Sequence, residues 1–158
     1  MKRGGAILLA SSLALALAAG GCGSGEKKTP DACRHGAAPY LAALRNAPGS
    51  AELPGGVPIG SCLTPNQSAA DLGAVGSAMI HAATLLNGRA LRDPGGRETV
   101  ALGYLVGAAE AAGDANNGID ADLIRRLRAG AEFSPHGTLP PPFKAAYERG
   151  IEAGNGSG

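Results

Sequence analysis

The sequence predicts a small all-α domain: a bundle of four to five helices with one N-terminal hairpin stapled by a disulfide. Three observations predict it. The apolar residues are mostly alanine, joined by Leu, Ile and Val, and the chain holds two Phe, three Tyr and no Trp. Such a composition packs helices closely and does not fill a β-sandwich. From Leu72 onward apolar positions recur at three- and four-residue steps, the period of a helix face. Clusters of Gly, Pro, Asn and Asp interrupt those runs at 93–96, 114–118 and 134–142, which ends each helix after an ordinary length.

Residues 1–21 stand apart from that domain. Lys2 and Arg3 make a basic start, Ala6 to Ala19 is uncharged, and small residues lead to a cysteine in Leu17-Ala18-Ala19-Gly20-Gly21-Cys22. An apolar run of about 14 residues is short for a membrane-spanning helix, which needs roughly 20, and suits the core of a signal peptide. The segment resembles the lipobox signal of bacterial lipoproteins. That resemblance implies cleavage before Cys22, a diacylglycerol on its sulfur, and an extracytoplasmic protein held to the cell membrane by lipid. Ala19 stands where the lipobox usually has leucine, and Ala16-Leu17-Ala18 also fits the cleavage site of a simply secreted protein. The cysteine count favours the lipid. Of three cysteines, pairing two leaves one over, and acylation of Cys22 accounts for it.

Without its leader the chain has about 137 residues, enough for one domain with a modest core. Its fourteen cations become twelve, against thirteen acidic side chains. A near-neutral balance without a basic cluster argues against nucleic acid as a partner. The shortage of aromatic residues counts against a carbohydrate module built on stacking platforms.

Residues 22–30 form a polar tether, with Lys27 and Lys28 read first as part of a solubilising spacer and second as a contact for anionic headgroups. A helix over Ala38 to Ala47 follows, with Pro39 where a first turn tolerates it and Tyr40, Leu41 and Leu44 apolar. Pro48 to Gly60 is dense in Pro-Gly turns and predicts no regular element. Cys33 and Cys62 bracket both, and outside the cytoplasm such a pair is expected as a disulfide.

Thr64-Pro65-Asn66-Gln67 has the layout of a capping box and predicts the start of the second helix. Its buried stripe is Leu72, Val75, Met79, Ala83 and Leu86, and it ends at Leu91 or Arg92. A third helix from Glu98 to Ala112 is uncharged from Val100 to Ala109 and should be central. Gly103, Gly107 and Ala111 share one face of it, and Ala69, Gly73 and Ser77 share one face of the second helix. Those two rows predict a close crossing of the second and third helices. Asp120 is the expected cap of a fourth helix through about Ala129, with Leu123, Ile124, Leu127 and Ala131 inward and Arg125, Arg126 and Arg128 outward. After Pro140-Pro141-Pro142 a last helix uses Phe143, Tyr147 and Ile151 as its apolar face. The helical domain is thus expected over 31–153, with a disordered tail at 154–158.

Sites of chemistry are sparse. An EF-hand loop needs oxygen donors at its first, third and fifth positions, glycine at the sixth and glutamate at the twelfth. Counting from Asp114 puts Gly118 fifth, Ile119 sixth and Arg125 twelfth, so a helix stop and an Asp cap explain the segment better. Asp31, Cys33 and His35 alternate like ligands, but an oxidised Cys33 offers no thiolate and zinc would need more donors. His81 is expected on the solvent side of the second helix. Ser134 and His136 share a proline-flanked loop without the context of a nucleophile elbow. No catalytic residue, metal or cofactor is assigned. Arg125, Arg126 and Arg128 form either a solvated face or a contact for an anion or partner.

The Cys33/Cys62 bracket and the segments PYLAALRNAPG, CLTPNQSA and LGYLVGAAE resemble small actinobacterial lipoproteins, a resemblance that implies no particular activity. The expected function is therefore a non-enzymatic, lipid-anchored module that binds an envelope protein or a small ligand. The alternatives are a spacer without ligand, or a small enzyme using His81 or His136 with a carboxylate.

Overall fold

The computed structural model describes residues 28–116 and 120–157. Cys22, the leader and most of the tether lie outside the described residues, as do Asn117, Gly118 and Ile119. Five α-helices occur among the described residues: α1 (Ala37–Ala43), α2 (Ala69–Ala90), α3 (Arg97–Ala115), α4 (Ala121–Ala131) and α5 (Pro141–Asn155). Single 3-10 turns precede and follow α1, at Asp31–Arg34 and Leu44–Asn46, and a third at Ile59–Cys62 leads towards α2.

The Cys33–Cys62 disulfide is present, with Cα atoms 5.5 Å apart and 29 residues between the partners in sequence. Both cysteines are fully buried, as is Tyr40, whose hydroxyl donates to the Cys33 carbonyl at 2.9 Å. The turn-rich stretch does contain a regular element. β1 (Glu52–Leu53) pairs antiparallel with β2 (Val57–Pro58). Gly55 and Gly56 take left-handed φ values of 85° and 71°, which close a turn that side chains would strain. Leu53 anchors the pair in the core, and the Ala51 amide donates to the Tyr104 hydroxyl of α3 at 3.2 Å.

The start of α2 differs from the capping-box expectation. Asn66 has a φ of 59°, which no first helical turn accommodates. Gln67 instead donates to the Thr29 hydroxyl at 2.7 Å and the Cys62 carbonyl at 3.0 Å. The cap is Ser68, whose hydroxyl accepts from the Asp71 amide at 3.1 Å. Tertiary bonds to the stapled segment outweigh the local capping pattern. Beyond it the stripe is as expected: Val75, Met79, Ala83 and Leu86 are buried and Leu72 half-buried. By length and composition α2 is also apolar enough to cross a membrane, but here that stripe forms core.

α3 is the central helix, buried without interruption from Thr99 to Ala109. Its close partner is α5, not α2. A Cβ at Gly103 would stand 2.0 Å from the Tyr147 carbonyl oxygen, and one at Gly107 2.3 Å from that of Ile151. Reciprocally, Gly150 faces the Val100 carbonyl at 2.1 Å and Gly154 that of Tyr104 at 2.3 Å. Glycine rows spaced by four on both helices let the backbones touch. Ala69, Gly73 and Ser77 of α2 are exposed, and nothing lies within 4 Å of a Cβ at Gly73. α5 also continues past the expected boundary at 153: Gly154 is buried, and the helix ends at Asn155. Packing against Tyr104 holds its last turn.

Candidate binding groove

α4 lies on α2 because Gly76 leaves room for Leu123, whose Cδ1 would be 2.9 Å from a Cβ there. Leu127 and Ala131 are fully buried beneath it and Leu123 is nearly so. Asn87 of α2 fastens the far end, its amide donating to the carbonyls of Ala131 and Phe133. The near end is fastened by Asn116, whose amide donates to the Leu63 carbonyl at 3.2 Å and to Asp120 at 3.0 Å. Asp120 therefore holds the cap position of α4, but its side chain makes no capping bond.

Between these fastenings the outer surfaces of α2 and α4 part into a groove of about 640 Å³. Leu72, Gly73, Ile80 and Leu123 supply an apolar floor, and His81, Asp122 and Arg126 a charged rim. The hollow follows from Gly73 and Ser77, too small to fill the space beside Leu123. His81 is exposed, as its place on the helix predicts. Among the described residues it makes no hydrogen bond or ion pair.

The three arginines are separated by their partners. Arg125 and Arg126 both bind Asp122, the latter at 2.7 Å, and Arg128 binds Glu110 of α3 at 2.5 Å. The bond from Arg125, then the charges of both arginines, hold the Asp122 carboxyl below its ordinary value. Their side chains stay 73%, 65% and 55% exposed. Only Arg126 reaches the groove. Arg125 and Arg128 border a separate depression with Glu110 and Asp114. Asp122, Glu110 and Asp114 stand among the three guanidiniums, so the face carries no net charge.

The remaining sequence candidates have other occupations. Cys33 is oxidised, while Asp31 binds His35 at 2.8 Å and Arg34 at 2.7 Å. Those two bonds, His35 first, lower the Asp31 pKa. The Ser134 hydroxyl donates to the Thr138 carbonyl at 3.2 Å, and His136 is exposed in the same loop. No group of three His, Cys, Asp or Glu able to hold a metal occurs among the described residues. The groove was missed from sequence, although its signal was present in the small residues on the outer side of α2. The chain matches no family model, no curated protein and no solved structure.

Proposed function

We propose that the chain is a lipid-anchored, extracytoplasmic binding protein of the cell envelope. In this reading residues 1–21 direct export and are removed, Cys22 carries the lipid, and residues 22–30 are the tether. Residues 31–153 form a helical bundle behind an N-terminal hairpin stapled by Cys33–Cys62. The domain holds an envelope protein or a small ligand in the α2/α4 groove and turns over no substrate.

The groove is the observation that carries the reading. Its volume of about 640 Å³ falls within the range of ligand sites, and an apolar floor with a few polar groups at the rim is their usual chemistry. Its position agrees with the anchor. Thr29 is bound to Gln67, two residues before α2, so the tether meets the domain at the Ala69 end of the groove. The seven residues from Cys22 to Lys28 span at most roughly 25 Å, which keeps that end near the membrane.

The test is the native intact mass of the protein extracted gently from its host membrane. A lipidated Cys22 terminus with a co-extracted ligand is expected, and Gly73→Leu, which fills the groove, should remove the ligand and leave the lipid. A mass without lipid, cleaved near Ala18, would refute the anchor. A lipidated mass without any adduct, unchanged when the groove is filled, would favour the spacer.

A further inference from the structure

A second pocket, of about 210 Å³, lies where the stapled N-terminal segment meets α2 and α3. Leu41, Leu44, Leu86 and Ala101 give it an apolar floor, with Leu44, Leu86 and Ala101 buried and Leu41 half-buried. Three arginines stand around that floor, one from each wall. Arg45 comes from the 3-10 turn after α1, Arg89 from the last turn of α2 and Arg97 from the first turn of α3. The wall that carries Arg45 is held in place, because Tyr40 and Leu44 are buried and the Cys33–Cys62 disulfide closes the segment.

The charges around this pocket do not cancel. Glu98 is the lining carboxylate, and it stands 3.6 Å from Arg89 and 3.9 Å from Arg97, too far for a hydrogen bond to either. Arg45 makes no hydrogen bond or ion pair among the described residues. Asp93 lies against Gly96 at the start of α3, outside the lining, and Arg92 beside it donates to the Gly88 carbonyl at 2.6 Å. Even with Asp93 counted beside Glu98 against the three guanidiniums, the pocket keeps an excess of positive charge. Arginines along one helix face are ordinarily just solvated. Here three from separate elements converge on one apolar floor, which a solvated face does not require. A cation would meet repulsion there, and a bare inorganic anion would leave the floor uncovered.

We propose that this pocket binds a small dissolved organic anion: a carboxylate or phosphate monoester whose oxygens accept from the Arg45, Arg89 and Arg97 guanidiniums, on a compact apolar body that covers Leu41, Leu44 and Leu86. The planar guanidinium fork matches either oxyanion. Glu98, between Arg89 and Arg97, keeps those two guanidiniums near each other against their repulsion. Leu86 lies about 25 Å along α2 from the Ala69 end where the tether joins, so a dissolved molecule suits the pocket better than a lipid headgroup. The pocket shares no lining residue with the α2/α4 groove, and anion binding does not depend on lipidation of Cys22.

The test is titration of the purified full chain with phenyl phosphate, phenylacetate, 2-phenylethanol and 2-phenylethylammonium chloride. Methyl resonances of Leu41 and Leu44 and side-chain N–H resonances of the three arginines report the site, and calorimetry reports affinity. Both anions should saturate at about millimolar concentration or below, as suits so small a ligand, and shift those signals. The alcohol should bind about tenfold more weakly or worse, and the ammonium should fail to bind. Inorganic phosphate, which cannot cover the floor, should be about tenfold weaker than its phenyl ester. Arg45→Gln should weaken both anions about tenfold. Arg149→Gln, which removes the same charge from the exposed side of α5, should leave them unchanged. Phosphatidylcholine vesicles containing phosphatidic acid should not displace phenyl phosphate, and displacement would overturn the assignment to a dissolved ligand. Equal affinity for the anions and the alcohol, or shifts that never saturate, would overturn the proposal. So would full affinity in Arg45→Gln, an exposed change that breaks no bond within the described residues.

Discussion

Replacing Gly150 by alanine puts a methyl group into the crossing of α3 and α5. The new Cβ would stand 2.1 Å from the Val100 carbonyl oxygen, 2.8 Å from the Tyr104 amide and 2.9 Å from the Gly103 Cα. All three are backbone atoms of a helix buried along its length, so none can swing aside. Ordinary contact begins near 3.4 Å, and the helices must part by about 1 Å. A gap of that size forfeits a quarter to a half of each contact's dispersion energy along the interface, and overpacking of this kind costs up to about 3 kcal/mol. Alanine's higher helix propensity returns about 1 kcal/mol, which leaves a net loss of about 2 kcal/mol. In a domain of this size the melting point should fall by about 6–10 °C. Gly73→Ala is the control, because nothing lies within 4 Å of its Cβ. There the propensity gain stands alone, and stability should rise by about 0.5–1 kcal/mol. Urea unfolding followed by far-UV circular dichroism reads both. If Gly150→Ala is as stable as the native chain, α3 and α5 do not cross on their glycines and the packing described above is wrong.

Removing the disulfide with Cys33→Ser and Cys62→Ser together should cost about 3–4 kcal/mol, from the entropy of a loop of 29 residues; a much smaller loss in urea midpoints would mean that the N-terminal segment is held chiefly by Tyr40 and Leu53. Asn87→Ala leaves the Ala131 and Phe133 carbonyls without their donor and should destabilise by about 1–3 kcal/mol, with hydrogen exchange rising first at the end of α4. Burial raises the Tyr40 and Tyr147 phenols above their ordinary value of 10.0, so the stability they contribute is complete below about pH 10 and lost as pH rises toward the folded values. Tyrosinate absorbance from these two should appear together with alkaline unfolding and not before it. For Asp31 and Asp122 the sign is opposite: their folded pKa values lie below 3.8, so their contribution is complete above that pH and fades in stronger acid. Asp122→Asn should flatten the acid limb of a urea-midpoint profile, and an unchanged limb would show that Arg125 and Arg126 do not hold this carboxylate.

Much of the helical layout could be read from the chain because it depends on local period and composition. The stripe of α2, the uncharged core of α3 and the inward Leu123/Leu127 face of α4 all place apolar side chains where a single helix must bury them. Cap positions were less legible because several residues compete for them. Thr64 and Ser68 both offer a hydroxyl before the α2 stripe, and the choice was made by Gln67, which binds Thr29 and Cys62. Asp120 does hold the cap position of α4, but its side chain receives the Asn116 amide in place of making a capping bond. No local pattern shows a side chain which distant partner it will meet. The arginines of α4 are of the same kind: their outward direction follows from helical period, whereas the pairing of Arg128 with Glu110 requires knowing that α4 lies beside α3.

The crossing of α3 shows most plainly where local reading stops. Gly103 and Gly107 announce a close neighbour, but a small-residue row names no partner, and α2 offers a row with the same spacing. What distinguishes α5 is that Gly150 and Gly154 lack Cβ atoms altogether, as Gly103 and Gly107 do, so that four carbonyl oxygens reach the facing backbone. The α2 row mixes alanine and serine with its one glycine and could not approach so far. Gly154 was hidden by its nearness to the chain terminus, where disorder is the usual expectation. One consequence joins the fold to the candidate site. Because α5 takes the small face of α3, the small face of α2 is left without a covering helix. Leu123 fills the room beside Gly76, nothing fills the space beside Gly73, and it is there that the α2/α4 groove opens.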